Sequence, residues 1–161
     1  MGSEAPIRFG LIGTGWRSEF FARLASQAPD RFQIAAVASR RPERAAAVAA
    51  SWGVPSAAST KDLLAAEPEF VIPCVPWGEM APTILALVEA GMTVLAETPP
   101  AADLKGLRDL WTQVGNRNPV QVAEQYLYLQ PQWKRIQFDI LSILILNNQP
   151  VNYFFIEDVY L

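Results

Sequence analysis

The sequence predicts an α/β fold with a doubly wound and mostly parallel sheet. Three observations support this prediction: short apolar runs recur along the chain, segments of helical spacing separate them, and a glycine turn joins the first run to the first helical segment. Strands that alternate with helices over short connections build βαβ units, in which helices cover both faces of the sheet. The 161 residues are 51% hydrophobic and 18% charged, which suits one ordinary domain with a core.

The first half of the chain contains two predicted strands. They are the apolar runs Ile7 to Ile12 and Phe32 to Ala38, and the segment that follows the first run has amphipathic, helical spacing. Proline at a first helical position and glycine just past the end predict a second helix from Pro42 to Trp52. Ser59 is placed to cap a short helix that runs through Ala66.

The alternation continues in the second half. Phe70 to Val75 is the third apolar run, and we expect this strand to end early or distort at Pro73, because proline removes a ladder hydrogen bond. The next helix runs from Glu79 to Ala90, with Gly91 as its stop. The elements after it are the strand Met92 to Ala96, the helix Ala102 to Val114 and the strand Val120 to Glu124.

The pattern changes near the end of the chain. Pro131 can start a longer helix that runs to about Asn147, with the apolar run 140–146 as its buried face, since that run is too short to span a bilayer. The last run, 151–161, is strand-like and would leave an apolar edge unless another chain or a missing domain covers it. The change of pattern therefore predicts one domain over residues 1–130, followed by a different kind of segment over 131–161.

Composition excludes several classes of protein. The net charge is −3 and the positive side chains are scattered, which argues against a nucleic-acid partner. The chain has no histidine, the commonest metal ligand, so we predict no metal site. Its one cysteine, Cys74, cannot form an internal disulfide, and the start of the chain lacks the features of a signal peptide. The sequence predicts a cytoplasmic protein with no membrane segment.

The glycine turn predicts a dinucleotide site. Gly13, Gly15 and Ser18 follow the first strand with the spacing of the dinucleotide fingerprint, and Ser18 is a small replacement for its third glycine. The first glycine makes the tight turn, and the second lets the backbone approach a pyrophosphate held at the helix N-terminus. The alternative is a plain structural turn.

The end of the second strand bears on which dinucleotide is bound. An NAD site usually presents an acid there to the ribose hydroxyls, whereas arginine suits a 2′-phosphate. This chain has Ser39, Arg40 and Arg41 at that point and no acid, which favours NADP while NAD stays possible. The alternative is that Arg40 and Arg41 are solvated residues leading into a helix.

With these motifs the chain resembles the N-terminal half of the Gfo/Idh/MocA family. The segments that carry the resemblance occur in order as GLIGTGW, ASRRPERA, VPW, VEAGMTVLAETP and VAEQYLYLQP, and they cover roughly Ile7 to Pro131. The resemblance implies a Rossmann domain of an NAD(P)-dependent oxidoreductase that acts on sugars, cyclitols and related alcohols or ketones. It also implies that residues 131–161 begin a second, truncated domain. In the family the nicotinamide lies between the first domain and this C-terminal α/β domain, which carries much of the substrate site.

The resemblance also implies roles for particular residues. Those expected to line the pyrophosphate are Ile12, Gly13, Thr14, Gly15, Trp16 and Arg17. Ser39 and Arg40 are expected at the adenosine ribose, and Val75, Pro76 and Trp77 beside the cofactor. The residues expected near the nicotinamide are Glu97, Thr98 and, from the neighbouring strand, Glu124.

Two departures from the family pattern affect the predicted chemistry. The slot that usually holds a catalytic lysine holds Thr98, and the residue nearest to a frequent histidine slot is Met80. A threonine hydroxyl donates a hydrogen bond but carries no charge near neutral pH. Hydroxyls of Thr98, Tyr126 or Tyr128 are the remaining candidates for proton chemistry, and the Thr98-Pro99 peptide is a candidate for the cis form.

The sequence leaves three functional hypotheses. The first is a nicotinamide-dependent oxidoreductase with a small-molecule substrate, represented here by its cofactor domain. The second is a non-enzymatic NADP-binding sensor that has lost catalytic groups. The third is an interaction module that associates, as a homo-oligomer, through the terminal strand.

Overall fold

The computed structural model describes residues 5–114, 120–122, 140–144 and 152–156. The chain divides into two compact units, Met1–Tyr126 and Leu127–Leu161. The first unit holds five strands and five helices in its described part. In chain order they are β1 (Ile7–Ile12), α1 (Trp16–Gln27), β2 (Phe32–Ala38), α2 (Pro42–Trp52), α3 (Thr60–Ala65), β3 (Phe70–Pro73), α4 (Trp77–Glu89), β4 (Val94–Ala96), α5 (Leu104–Val114) and β5 (Val120–Val122).

The five strands form one parallel sheet in the order β2-β1-β3-β4-β5. The chain moves outward from β1 to β2 and then crosses back to β3, so the winding direction reverses between β1 and β3. In open α/β sheets this switch point forms a crevice beyond the carboxyl ends of the strands, where ligands bind. The predicted α/β fold with a doubly wound, mostly parallel sheet is confirmed.

Helices cover both faces of the sheet, and each face has its own core. On one face, Ala22 and Ala25 of α1 and Ala49 of α2 pack with Phe9 and Leu11 of β1. Small residues line this helix surface because the helices lie close to the sheet. Among the larger apolar side chains of α1, Phe21 is partly buried against this core, whereas Phe20 and Leu24 are exposed. On the other face, α3, α4 and α5 contribute the buried Leu63, Met80, Ile84, Leu87, Leu110 and Val114.

Local sequence features set the ends of several elements. β3 ends at Pro73, as the sequence predicts. Gly53 adopts the left-handed conformation (φ 69°) that ends α2. The Ser59 side chain caps α3 by accepting a hydrogen bond of 3.2 Å from the backbone N–H of Asp62. Pro73 thus marks where the loop after β3 begins, at the carboxyl edge of the sheet.

The described part of the second unit is a pair of antiparallel strands, β6 (Ile140–Leu144) and β7 (Asn152–Ile156). The predicted helix from Pro131 to about Asn147 is therefore wrong over 140–144. A short apolar run cannot be assigned to helix or strand by periodicity alone, and pairing with the strand-like run that follows decides in favour of strand. The β-branched Ile140 and Ile143 suit that conformation.

None of the helices in the described ranges is long and apolar enough to cross a membrane.

Candidate functional site

A cleft of about 1020 Å³ lies at the carboxyl ends of β1 to β4. It collects the loops that follow these four strands and the first turns of the helices after them. Glu124, which is expected near the nicotinamide, lies outside the described residues. Tyr126 and Tyr128, the candidates for proton chemistry, also lie outside them. The other residues singled out as cofactor-binding all line the cleft, namely Ile12, Gly13, Thr14, Gly15, Trp16, Arg17, Ser39, Arg40, Arg41, Val75, Pro76, Trp77, Glu97 and Thr98.

Gly13 makes the tight turn after β1, and only glycine fits there. Its φ is +124°, and a Cβ atom at this position would lie 2.2 Å from the backbone oxygen of Cys74. The turn is anchored on both sides: Gly13 N donates to Ala38 O at 2.8 Å, and Cys74 N donates to Ile12 O at 2.7 Å. The backbone after β1 is thus locked between β2 and β3, which aims α1 at the cleft.

Gly15 is the N-cap of α1 and serves a different purpose. Its φ of −89° is open to any residue, and no side chain caps the helix. A Cβ atom on Gly15 would meet nothing within 4 Å. The first backbone N–H groups of an α-helix have no acceptor within the helix, and the helix dipole adds partial positive charge. A phosphate group fits this approach, since glycine leaves the backbone open and the helix supplies the donors.

Ser18, at the third fingerprint position, packs into the core beside Cys74. Its side chain is fully buried, and Ser18 Oγ has no partner of ordinary hydrogen-bond geometry in the part of the chain that the structure describes. Burial raises the pKa of the Cys74 thiol to about 12, and the smaller, opposite effect of the neighbouring Ser18 hydroxyl does not offset it. The thiol stays protonated at neutral pH, so Cys74 is not a nucleophile.

Three guanidinium groups face the cleft beyond the end of β2. Arg40, Arg41 and Arg44 are exposed, and all three line the cleft. Ser39 fixes the start of this loop, since its Oγ donates to Arg41 O at 2.7 Å and accepts from Arg41 N at 3.2 Å. The loop presents positive charge to any ligand whose ribose lies at the end of β2.

Glu79 reaches the same end of the cleft from the first turn of α4. Its Oε1 lies 3.6 Å from Nη1 of Arg40. Sequence reasoning looked for an acid at the end of β2 and found none, and it missed this one because Glu79 comes from the helix after β3. The available indication was that Glu79 lies in the first turn of the helix after β3, and β3 ends at the same edge of the sheet as β2.

The far end of the cleft holds Glu97 and Thr98, directly after β4. Arg17 Nε donates to Glu97 Oε2 at 2.6 Å, which ties this end to the first turn of α1. The Thr98-Pro99 peptide is cis, as expected from the sequence. Thr98 is exposed, whereas Met80 is 2% exposed and forms part of the cleft wall.

Two tryptophans at the cleft are exposed and do not belong to the core. Trp16 is 73% exposed and Trp77 is 66% exposed, and both line the cleft. The guanidinium of Arg17 lies 4.4 Å from the centre of the Trp16 ring. Among the described residues, no group of three or more histidine, cysteine, aspartate or glutamate side chains is arranged to hold a metal ion.

Comparison with known proteins identifies related chains. A family model described as "Oxidoreductase family, NAD-binding Rossmann fold" (GFO_IDH_MocA) matches residues 7–125. Oxidoreductase ORF334 of Rhizobium meliloti is 30% identical over 139 residues, which is 84% of this chain and 41% of the relative. Inositol 2-dehydrogenase 3 of Saccharopolyspora erythraea is 30% identical over 100 residues, 62% of this chain and 30% of the relative. The chain thus spans less than half the length of these relatives.

A solved structure shares the fold of the first unit. KijD10, a 3-ketoreductase from Actinomadura kijaniata, was solved in complex with NADP and TDP-benzene. It is 26% identical to this chain with a TM-score of 0.62, and the match covers 80% of this chain and 40% of KijD10.

Proposed function

The chain belongs to the Gfo/Idh/MocA family of NAD-binding oxidoreductases, and we propose that it is the cofactor-binding part of an enzyme acting on a sugar, a cyclitol or a related alcohol or ketone. The bound nicotinamide would supply hydride transfer. An inositol dehydrogenase and a ketoreductase among the similar proteins support this substrate class. We propose the cytoplasm as the compartment.

The observation that carries the proposal is the cleft around the glycine turn. Gly13 closes the turn, Gly15 opens the backbone, and the first amides of α1 are available to a pyrophosphate. Trp16 and Trp77 offer exposed aromatic faces in the same cleft, and Glu97 with Thr98 would stand near the nicotinamide. These residues bind and orient the cofactor.

We propose NADP as the preferred cofactor. A 2′-phosphate carries more negative charge than a ribose hydroxyl and pairs well with guanidinium groups. Arg40, Arg41 and Arg44 all line the cleft beyond β2, where the adenosine ribose of a dinucleotide lies in this fold.

Titration with NADPH and NADH tests the proposal. Trp16 and Trp77 line the cleft, so either bound nucleotide should quench tryptophan emission in a saturable way. Replacing Trp16 with Phe should remove part of this quenching, whereas Trp111→Phe should keep it, since Trp111 is exposed on α5 and does not line the cleft. Absence of saturable binding of both nucleotides would overturn the proposal.

A second candidate is an NADP-binding sensor without catalysis. Thr98 stands where the family commonly has lysine, and the buried Met80 stands nearest to a frequent histidine slot. Tight binding with no hydride transfer to a panel of sugars and cyclitols, even when a complete second domain is attached, would favour the sensor. Gain of turnover on Thr98→Lys in that longer protein would identify Thr98 as the site of lost catalysis, whereas no change would favour the sensor.

We also propose that residues 1–130 form the cofactor domain and that 131–161 begin a substrate or oligomerisation domain. Pairing of its terminal strand with a second copy or with a missing domain would protect the strand edge. Sedimentation of the purified chain tests the homo-oligomer.

A further inference from the structure

We propose that Glu79 is a specificity-determining residue that weakens the preference of the cleft for a 2′-phosphate. This inference rests on the proposed function, since it concerns which dinucleotide the same cleft binds. It changes the conclusion drawn from the end of β2, because the acid that is missing there is supplied by α4.

The position of Glu79 is fixed by its backbone. Glu79 N donates to Pro76 O at 2.8 Å, and the Thr83 hydroxyl donates to Glu79 O at 2.6 Å. Only the side chain is free to adjust, and it extends toward Arg40 with 3.6 Å between Oε1 and Nη1. The carboxylate therefore faces one of the three guanidinium groups that line the cleft beyond β2.

The pair is exposed enough for a ligand to break it. The Arg40 side chain is 80% exposed and the Glu79 side chain 50% exposed. An exposed ion pair is weak, so a phosphate is able to take Arg40 from Glu79, but the carboxylate remains nearby and repels the dianion. A ribose with a free 2′-hydroxyl meets no such repulsion, and its hydroxyl can donate to the same carboxylate.

The cleft consequently holds both kinds of discriminating group. Arg41 and Arg44 favour a 2′-phosphate, and Glu79 opposes it while neutralising part of the charge of Arg40. With three guanidinium groups against one carboxylate, the expected outcome is a site that binds both dinucleotides and prefers NADP modestly.

The test compares Glu79→Gln with the unaltered chain by measuring Kd for NADPH and NADH. Removing the negative charge should tighten NADPH binding by about fivefold, the size expected for one exposed charge, and change NADH binding by less than about twofold. Glu89→Gln is the matched control, because Glu89 is an exposed glutamate at the other end of α4 that does not line the cleft. It should leave both constants unchanged.

A double substitution isolates the pair. In an Arg40→Gln background, Glu79→Gln should tighten NADPH binding less than it does alone, because the guanidinium for which the carboxylate and the phosphate compete is gone. Binding of both nucleotides with an unchanged ratio in Glu79→Gln would overturn the inference and leave the proposed function standing. If neither nucleotide binds the unaltered chain, the proposed function fails and the inference fails with it.

Discussion

Arg17 Nε lies 2.6 Å from Oε2 of Glu97, so one ion pair joins the first turn of α1 to the residue that follows β4. The two side chains are 39% and 23% exposed, and Arg17 also lies against the Trp16 ring. Both residues line the cleft. The pair fixes the Glu97 carboxylate as an acceptor from Arg17 and makes it a positioning group for the loop after β4.

Glu97→Gln is expected to lower the free energy of unfolding by about 1 kcal/mol, the range between an exposed ion pair and a shielded, charge-assisted hydrogen bond. Urea unfolding measures this change. Glu19→Gln provides the control, because the Glu19–Arg23 pair lies within α1 and is more exposed, and it should cost less than about 0.5 kcal/mol. Equal losses in the free energy of unfolding for the two substitutions would show that the Arg17–Glu97 pair stabilises the fold no more than an exposed pair within a helix does.

Alanine is expected to have different effects at the two glycines of the turn, lowering mainly stability at Gly13 and mainly nucleotide binding at Gly15. Gly13→Ala should lower the free energy of unfolding by at least about 1 kcal/mol, because φ is +124° and the added Cβ meets Cys74 O at 2.2 Å. Gly15→Ala should cost less, because its Cβ meets nothing within 4 Å and only the N-cap preference for glycine over alanine is lost. It should instead weaken NADPH binding by about tenfold, the loss of about 1.4 kcal/mol of phosphate contact.

Thermal unfolding and nucleotide titration of the same two variants separate these effects. Gly78→Ala is the control, because Gly78 also has open space around its Cβ position and does not line the cleft. A Gly15→Ala variant that binds NADPH as tightly as the unaltered chain would contradict the role assigned to that backbone.

Most of the first unit was predictable because its signals are local. Apolar runs define the strands, and Pro42, Gly53 and Ser59 mark helix ends through their own backbone and side-chain preferences. Parallel strands in βαβ units then bring every strand end to one edge. The family resemblance named which residues after each strand line the cleft.

The sequence predictions were wrong or incomplete where the structure depends on residues that are distant in the chain. The run 140–144 is a strand because it pairs with 152–156, which periodicity within the run does not reveal. Glu79 meets Arg40 only after the sheet has set α4 beside the loop after β2.

Stability is expected to decline in alkaline solution through Cys74. Burial raises the pKa of this thiol from 9.0 to about 12, so below pH 9 both folded and unfolded chains hold the proton. Between these values the unfolded chain releases the proton first, and the free energy of unfolding should fall by up to about 1.4 kcal/mol per pH unit. Comparison of urea unfolding of the unaltered chain and Cys74→Ala from pH 8 to 11 isolates this contribution.

The same burial predicts slow labelling of the thiol. Cys74 is the one cysteine of the chain, so a thiol reagent at pH 8 reports on it alone. Reaction should be slow in buffer and fast in denaturant. Parallel pH profiles for the unaltered chain and Cys74→Ala, or rapid labelling of the folded chain, would contradict the assignment.

Arg41→Gln is expected to weaken NADPH binding by about fivefold to tenfold and to change NADH binding by less than about twofold, because the guanidinium lines the cleft and would contact only the 2′-phosphate. Its backbone is held by Ser39, so the substitution removes charge without moving the loop. Added salt should reduce the difference between the two nucleotides, since exposed charges are screened. Arg108→Gln, an exposed arginine on α5 that does not line the cleft, is the control. Equal losses for NADPH and NADH, or a loss that salt does not reduce, would indicate that Arg41 supports the loop and does not recognise the phosphate.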